Sequence, residues 1–205
     1  ADIYEAVLRK SAINNGYLLP EEVNKDYDVG LALIGEELFS SELLSLNSDM
    51  SCSSCHLDKF SSADGLSNAI GVGGHGQGTD RLSSGGVIVP RNTLPLWGRG
   101  GNGFDVFFWD GKVRNENGVI ISQFLDAPPS TDALEVAVHL PIIEIREMLD
   151  DDDLISKNYK LETVESGYDL YELILENFRY SDLANKLASY FDLTVSELKI
   201  DHITK

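Results

Sequence analysis

The feature that most constrains this chain is a Cys-x-x-Cys-His motif, which spans residues 52–56 and follows a serine. Two thiols two residues apart, followed at once by a histidine, form the attachment motif of a c-type haem. Cys52 and Cys55 can each form a thioether to one haem vinyl group, and His56 can then give an imidazole nitrogen to the iron. We therefore expect one covalently bound haem c, with the fold built around it.

The same pair of sulfurs is compatible with two other kinds of site, a redox dithiol and half of a structural zinc site. A structural zinc ion usually takes four ligands, and Cys52 and Cys55 are the only cysteines in the 205 residues. A thioredoxin-like dithiol lies between a strand and a helix, whereas this motif follows a helix-like segment and His56 begins a polar loop. The sequence therefore favours haem attachment.

The charge of the chain narrows the classes of partner. Its 34 acidic residues outnumber the 16 basic ones and give a formal net charge of −18, so we expect no nucleic-acid partner. An acidic surface can instead steer a basic redox protein into contact, although the same composition also suits general solubility in a salty or cold habitat. No run approaches the roughly 18 apolar residues that a membrane span needs, so we expect no span.

The two ends of the sequence bear on processing and location. It begins at Ala1 without an initiator methionine, a charged leader or the apolar core of a signal peptide. Because haem attachment normally takes place outside the cytoplasm, we expect a removed signal peptide and a periplasmic or otherwise extracytoplasmic location. The last helix-like segment reaches Lys205 without a glycine or another C-terminal signal, so the polypeptide could continue.

Hydrophobic periodicity predicts a mainly helical chain. Apolar residues recur at helical spacing in four segments, which are residues 26–39, 168–178, 181–191 and 194–203. The first of these leads directly toward the haem motif. Thr194 and Glu197 have the spacing of a capping box, which predicts the start of the last helix.

Two glycine-rich stretches interrupt this helical pattern. Residues 61–78 surround His75 with Gly and Ser, and residues 98–103 hold a second glycine cluster. No Gly-Lys-Ser or Gly-Lys-Thr follows the glycines, so a phosphate-binding loop is not indicated. These stretches predict long loops whose backbone bends closely around a ligand or cofactor.

Six short segments follow one another in an order that points to a family. They are Ile34-Gly35-Glu36-Glu37-Leu38-Phe39, Ser51-Cys52-Ser53-Ser54-Cys55-His56, the glycine-flanked His75, Pro90-Arg91-Asn92-Thr93-Leu94-Pro95, Phe108-Trp109-Asp110-Gly111-Lys112 and Glu147-Met148. Together they resemble the N-terminal half of the bacterial di-haem cytochrome c peroxidases, a family that includes the related tryptophylquinone-forming enzymes. The resemblance covers residues 28–205. It implies a mainly α, cytochrome-c-like haem domain with long Gly-rich loops, preceded by an N-terminal helical extension at residues 1–27.

The resemblance implies roles for residues around the haem. In the family this half of the protein holds the peroxidatic haem, so Cys52 and Cys55 would be its covalent anchors and His56 its proximal ligand. His75 resembles the distal histidine that caps the iron in the resting oxidised enzyme of many members and leaves on activation. Glu147 resembles the distal group that acts as acid and base on hydrogen peroxide.

Two further residues resemble family positions that face a second domain. Trp109 resembles the tryptophan that lies between the two haems, and Asn92 resembles a residue that contributes to an interdomain calcium site. These 205 residues hold a single haem motif. The resemblance therefore also implies a second haem domain or chain as a partner, and a small redox protein as the electron donor.

The function expected from these features is that of an oxidoreductase, the peroxidatic half of an enzyme that reduces hydrogen peroxide. Two alternatives stay open, a haem-based sensor without turnover and a monohaem electron carrier with His75 or Met148 as permanent sixth ligand. A methionine on iron raises the reduction potential, as a carrier requires, although we favour a packing role for Met148. Glu144, one turn before Glu147, is an alternative acid and base.

Overall fold

The computed structural model describes residues 2–150 and 164–205, and helices are its main regular structure. The α-helices are Ile3–Asn14 (α1), Pro20–Val23 (α2), Val29–Ser40 (α3), Thr79–Leu82 (α4), Ala133–Ile142 (α5), Val164–Phe178 (α6), Asp182–Tyr190 (α7) and Ile200–Ile203 (α8). Single 3₁₀ turns are formed by Glu42–Leu44, Cys52–Ser54, Asp58–Phe60 and Val195–Glu197. The strands Val106–Phe107 (β1), Val113–Glu116 (β2) and Val119–Ile121 (β3) form one antiparallel sheet in chain order.

The larger hydrophobic core is built from helices. Five side chains on one face of α6 are almost completely buried, at the one-, three- and four-residue spacing of a helical stripe: Leu170, Tyr171, Ile174, Leu175 and Phe178. Leu38 of α3 and Leu187 of α7 also belong to this core. The α3 helix begins after Asp28, whose Oδ1 accepts a hydrogen bond from the Leu31 amide at 2.8 Å. It contacts the Cys52–Ser54 turn and so brings the chain to the haem motif.

A smaller hydrophobic core lies between the sheet and α5. Strands β2 and β3 pair with Glu116 opposite Val119. The intervening Asn117 and Gly118 have φ values of 54° and 88°, the left-handed geometry of a two-residue hairpin turn. The buried apolar side chains of this core are Phe107, Val113, Ile120, Phe124, Ala133, Val136, Ala137 and Leu140.

The helical predictions near the C-terminus have mixed outcomes. Those for residues 168–178 and 181–191 are confirmed by α6 and α7. One helix over residues 194–203 is wrong, because the backbone is extended at Leu198 between the Val195–Glu197 turn and α8. The Thr194 amide does donate to Glu197 Oε2 at 2.8 Å, but this capping box closes a single turn before Leu198 enters the core.

The N-terminal residues form α1 and α2, and no side chain of α1 is buried. At the end of α2, the Val23 carbonyl accepts a hydrogen bond from the Asn102 amide at 2.7 Å, which ties this segment to the second glycine cluster. The boundary between an extension and a haem domain at residue 27 stays a prediction. Within residues 2–150 and 164–205, every helix is too short or too polar to cross a bilayer.

Tyr171 joins the larger core to α5, because its hydroxyl donates to the His139 carbonyl at 2.8 Å. We expect Tyr171→Phe to lower the free energy of unfolding by about 1–2 kcal/mol, since it removes a buried hydrogen bond and leaves a buried carbonyl short of a partner. Urea denaturation measures the change. Tyr180→Phe is the control, because the Tyr180 ring is 93% exposed. Equal stability of the two variants would contradict the prediction.

Candidate functional site

The haem motif is folded into one tight turn. The amides of Cys55 and His56 both donate to the Cys52 carbonyl, at 3.2 and 2.9 Å. Side chains three residues apart eclipse one another in a 3₁₀ helix, so the Cys52–Ser54 turn directs the two thiols to the same side. Both thiols are unbridged and half-buried. This arrangement suits two bonds to one edge of a flat ligand.

The state of the two thiols argues against the other interpretations of the motif. Burial raises the pKa of Cys52 to about 11, and burial, opposed in part by the charge of Arg81, raises the pKa of Cys55 to about 11. Both are therefore neutral at pH 7, whereas a redox dithiol depends on a lowered pKa. Across the described ranges, 2–150 and 164–205, no three His, Cys, Asp or Glu side chains are grouped as a zinc site requires.

His56 is held in the form that an iron ligand needs. Its Nδ1 lies 2.8 Å from the Ser62 carbonyl oxygen, which can only accept, so Nδ1 carries the proton and Nε2 the free lone pair. Burial lowers the pKa of His56 against the opposing effect of the Ser62 carbonyl, which keeps the imidazole neutral at pH 7. The Phe39 ring of α3 lies 6.2 Å from the imidazole. These residues fit a haem held by two thioethers and an axial imidazole.

A short extended segment, residues 70–72, connects the motif to Glu147. The Ile70 carbonyl lies 3.8 Å from the Cys55 Sγ, and the Val72 amide donates to the Arg146 carbonyl at 2.9 Å. The charge of Glu147 is close enough to contribute to the raised pKa of Cys55. The structure therefore brings Glu147 into the neighbourhood of the haem motif, as an acid and base for haem chemistry requires.

The surroundings of Glu147 favour the neutral carboxyl. Burial, followed by the negative charge of Glu144, raises the pKa of Glu147 to about 7, although the positive charge of Lys112 opposes the shift. Glu144 is more open to solvent and forms an ion pair with Lys112, at 3.4 Å between Nζ and Oε2. A carboxyl that titrates near neutral pH can both accept and return a proton, so Glu147 suits that role better than Glu144.

The two candidate sixth ligands lie in different surroundings. Met148 is 6% exposed in the larger core, and its carbonyl accepts a hydrogen bond from the Leu46 amide at 3.3 Å. This placement agrees with a packing role for Met148. His75 lies on an exposed loop between Gly74 and Gly76. Its distal role stays a prediction.

Trp109 and Asn92 lie side by side on the surface. The indole Nε1 of Trp109 donates to the Asn92 carbonyl oxygen at 3.1 Å, and the Trp109 ring is half-exposed. The two residues that resemble family positions facing a second domain are therefore adjacent in this fold. Electron transfer through Trp109 and calcium binding by Asn92 stay predictions.

The sequence interpretation missed Arg81, which is 2% exposed. Its guanidinium donates to the carbonyls of Ile70, Gly71 and Gly76 at 2.7, 3.3 and 3.4 Å and to the Met50 sulfur at 2.8 Å. Arg81 thus fixes the loop that carries His75 and lies close to Cys55. One feature of the sequence could have indicated this role: Arg81 lies within a stretch of Gly, Ser and small residues. A buried guanidinium in such a stretch needs several hydrogen-bond acceptors from the backbone.

Comparison with solved structures gives one similar chain. It is described as the crystal structure of a MauG-like protein associated with microbial copper homeostasis, and its sequence is 21% identical to this one. The match covers 91% of this chain and 44% of that chain, with a TM-score of 0.47. This chain therefore spans less than half the length of that protein. No curated protein matches the sequence.

A family model gives the broader relationship. The model described as di-haem cytochrome c peroxidase matches residues 30–205, which include the haem motif, the Gly-rich loop, Trp109 and Glu147. The match begins close to residue 28, where the resemblance of the six segments starts, and it extends to the last residue. This chain belongs to the di-haem cytochrome c peroxidase family.

Proposed function

We propose that this chain is the peroxidatic half of a di-haem peroxidase, which reduces hydrogen peroxide with electrons from a second haem. The observation that carries the proposal is the position of Glu147, a half-buried carboxyl whose pKa is raised to about 7 by burial and by the charge of Glu144. The position of Glu147 beside the segment that contacts Cys55 supports its assignment as the acid and base.

Each residue of the site has a separate task in this proposal. Reduction of one hydrogen peroxide takes two electrons and two protons and gives two waters, and a bound haem supplies the redox chemistry. Cys52 and Cys55 would hold the haem through thioethers, and His56 would give its Nε2 to the iron. Glu147 takes a proton from one peroxide oxygen and returns a proton to the departing oxygen.

The residues on the surface would connect this half to its partner. The half-exposed ring of Trp109 supports a position between this haem and one on a second haem domain or chain. Asn92, whose backbone carbonyl accepts from Trp109, would supply an oxygen ligand to a calcium ion at the same junction. His75 would cap the iron in the resting enzyme, and its exposed loop supports a side chain that can leave.

The net charge supports the identity of the external donor. A chain with 34 acidic and 16 basic residues attracts a small basic redox protein, so its rate of electron delivery should fall as salt rises. The covalent haem also supports an extracytoplasmic location, because c-type haem attachment normally takes place there.

The proposal is tested by mixing the haem-loaded, chemically reduced protein with hydrogen peroxide in a stopped-flow spectrometer. We expect rapid oxidation of the haem, with a rate that increases linearly with peroxide concentration. The ferric protein should show a high-spin spectrum or one of bis-histidine coordination. A methionine-to-iron charge-transfer band together with no reaction would instead support the electron carrier.

A further inference from the structure

Ser62 contacts both His56 and a second segment of the chain. Its carbonyl oxygen accepts a hydrogen bond from His56 Nδ1 at 2.8 Å. Its hydroxyl oxygen accepts hydrogen bonds from the amides of Leu96 and Trp97 at 2.7 and 3.0 Å. The same hydroxyl donates to the Ser61 carbonyl at 2.6 Å. Two accepted bonds and one donated bond use the full capacity of a serine hydroxyl. With 5% exposure, Ser62 is a buried, fully bonded link.

The backbone at this link is held in an unfavourable conformation. Ser61 and Ser62 have φ values of 58° and 60°, in the left-handed region that is unfavourable for a residue with a side chain. The Ser62 amide donates to the Leu57 carbonyl at 2.9 Å, so the turn is tied at both ends. Such a conformation persists only where surrounding contacts enforce it. Here the hydrogen bonds of the Ser62 amide and hydroxyl hold the residue whose carbonyl faces His56.

We propose that Ser62 is a positioning residue for the proximal histidine. Its hydroxyl binds the amides of Leu96 and Trp97 to the turn at Ser61 and Ser62. This anchor of two hydrogen bonds fixes the position of the Ser62 carbonyl, which accepts the hydrogen bond from His56 Nδ1. The inference rests on His56 as the proximal ligand, and goes beyond it by assigning the tuning of that ligand to a serine side chain.

A hydrogen bond from Nδ1 to a fixed acceptor strengthens the imidazole as a donor to the metal. A stronger axial donor stabilises ferric over ferrous iron and lowers the reduction potential. If the anchor is removed, the Ser62 carbonyl can move and the Nδ1 bond lengthens. The expected consequences are a weaker iron–imidazole bond and a reduction potential shifted to more positive values.

Removal of the hydroxyl should leave the fold intact, because a second contact holds the same segment. Thr93 Oγ1 donates to Asp64 Oδ2 at 3.0 Å, and the Asp64 side chain is buried. Glycine also adopts the φ of 60° found at Ser62 without strain. Ser62→Gly therefore removes the anchor and keeps the backbone conformation available.

The test compares Ser62→Gly with Ser61→Gly in the haem-loaded protein. Ser61 has the same residue type and nearly the same φ but an exposed side chain, so its replacement controls for added backbone flexibility. For Ser62→Gly we expect a positive shift of the midpoint potential and a lower iron–imidazole stretching frequency in the resonance Raman spectrum of the ferrous haem. Ser61→Gly should change neither. Ser62→Ala, which keeps a side chain but no hydroxyl, should shift both in the same direction.

The outcomes separate this proposal from the assignment of His56. An unchanged potential and stretching frequency in both Ser62 variants, with the iron–imidazole band present in the wild type, overturns the role of Ser62 alone. Equal shifts in Ser61→Gly and Ser62→Gly also overturn it, because flexibility would then account for the change. An unchanged haem spectrum in His56→Ala overturns the assignment of His56 and the proposal with it; a missing iron–imidazole band does not, because a six-coordinate ferrous haem lacks that band even with His56 bound.

Discussion

Glu147→Gln is expected to slow the reaction of the reduced haem with hydrogen peroxide by about 100- to 10,000-fold, the usual contribution of one positioned acid and base. Glutamine has nearly the same shape and keeps the packing beside the residue 70–72 segment, but it can neither accept nor return a proton. Stopped-flow absorbance at several peroxide concentrations gives the second-order rate constant. A rate constant within a factor of two of the wild type would remove Glu147 from the mechanism.

The pH dependence of the same rate provides a second test of Glu147. Because the carboxylate form accepts the proton, the wild-type rate should rise with pH through a midpoint near the Glu147 pKa of about 7. Glu144→Gln removes a negative neighbour and should move this midpoint to lower pH. Lys112→Met removes a positive neighbour and should move it to higher pH. The rising limb should be absent in Glu147→Gln, and shifts of the opposite sign would contradict the electrostatic account.

Gly71→Ala is expected to have the largest effect on the fold around the site. A Cβ at this position would lie 1.6 Å from the Arg146 carbonyl oxygen and 3.3 Å from the Glu147 Cα. Backbone must therefore move, which breaks the hydrogen bond from the Val72 amide to Arg146 and displaces Glu147. We expect a loss of about 3 kcal/mol in the free energy of unfolding, at the upper end of overpacking effects. Chemical denaturation of the haem-loaded protein measures this loss.

Gly35→Ala is the matched control for this substitution. Gly35 lies within α3, and a Cβ there meets no atom within 4 Å. Alanine should therefore stabilise the helix by about 0.5–1 kcal/mol through its lower conformational entropy in the unfolded chain. The two Gly→Ala changes thus have opposite expected signs, and a stable Gly71→Ala protein would mean that residues 70–72 do not pack against Arg146 as the structure has them.

The parts of the fold that sequence predicted are those governed by local spacing. The buried stripe of α6 repeats at helical intervals, and its residues can be read without knowledge of their partners. The hairpin between β2 and β3 also has a local signal, since Asn117 and Gly118 form the preferred two-residue turn, although no hairpin was predicted there. The prediction of one helix over residues 194–203 was wrong because the burial of Leu198 in the core, a tertiary effect, outweighed the local capping box of Thr194 and Glu197.

The candidate site divides in the same way. The Cys-x-x-Cys-His motif is contiguous, so the sequence alone could predict the turn and the cofactor. Arg81 and Ser62 act through carbonyl and amide groups of residues 5 to 35 positions away, and every residue type offers those groups. The pattern of side chains in the sequence therefore cannot predict these hydrogen bonds. Glu147 could be located only by resemblance, and its proximity to Cys55 depends on how residues 70–72 are packed.

The residue 70–72 segment makes the two faces of the site mechanically dependent on each other. One end contacts Cys55 and the other is hydrogen-bonded to the backbone beside Glu147, and the space between Gly71 and the opposing peptide leaves no room for a Cβ. In the proposed enzyme, a shift at Cys55 would therefore be transmitted through residues 70–72 to Glu147. The distance between Cys55 and Glu147 is thus set by the polypeptide itself, and a substitution that changes it would need a matching change on the other side of the Gly71–Arg146 contact.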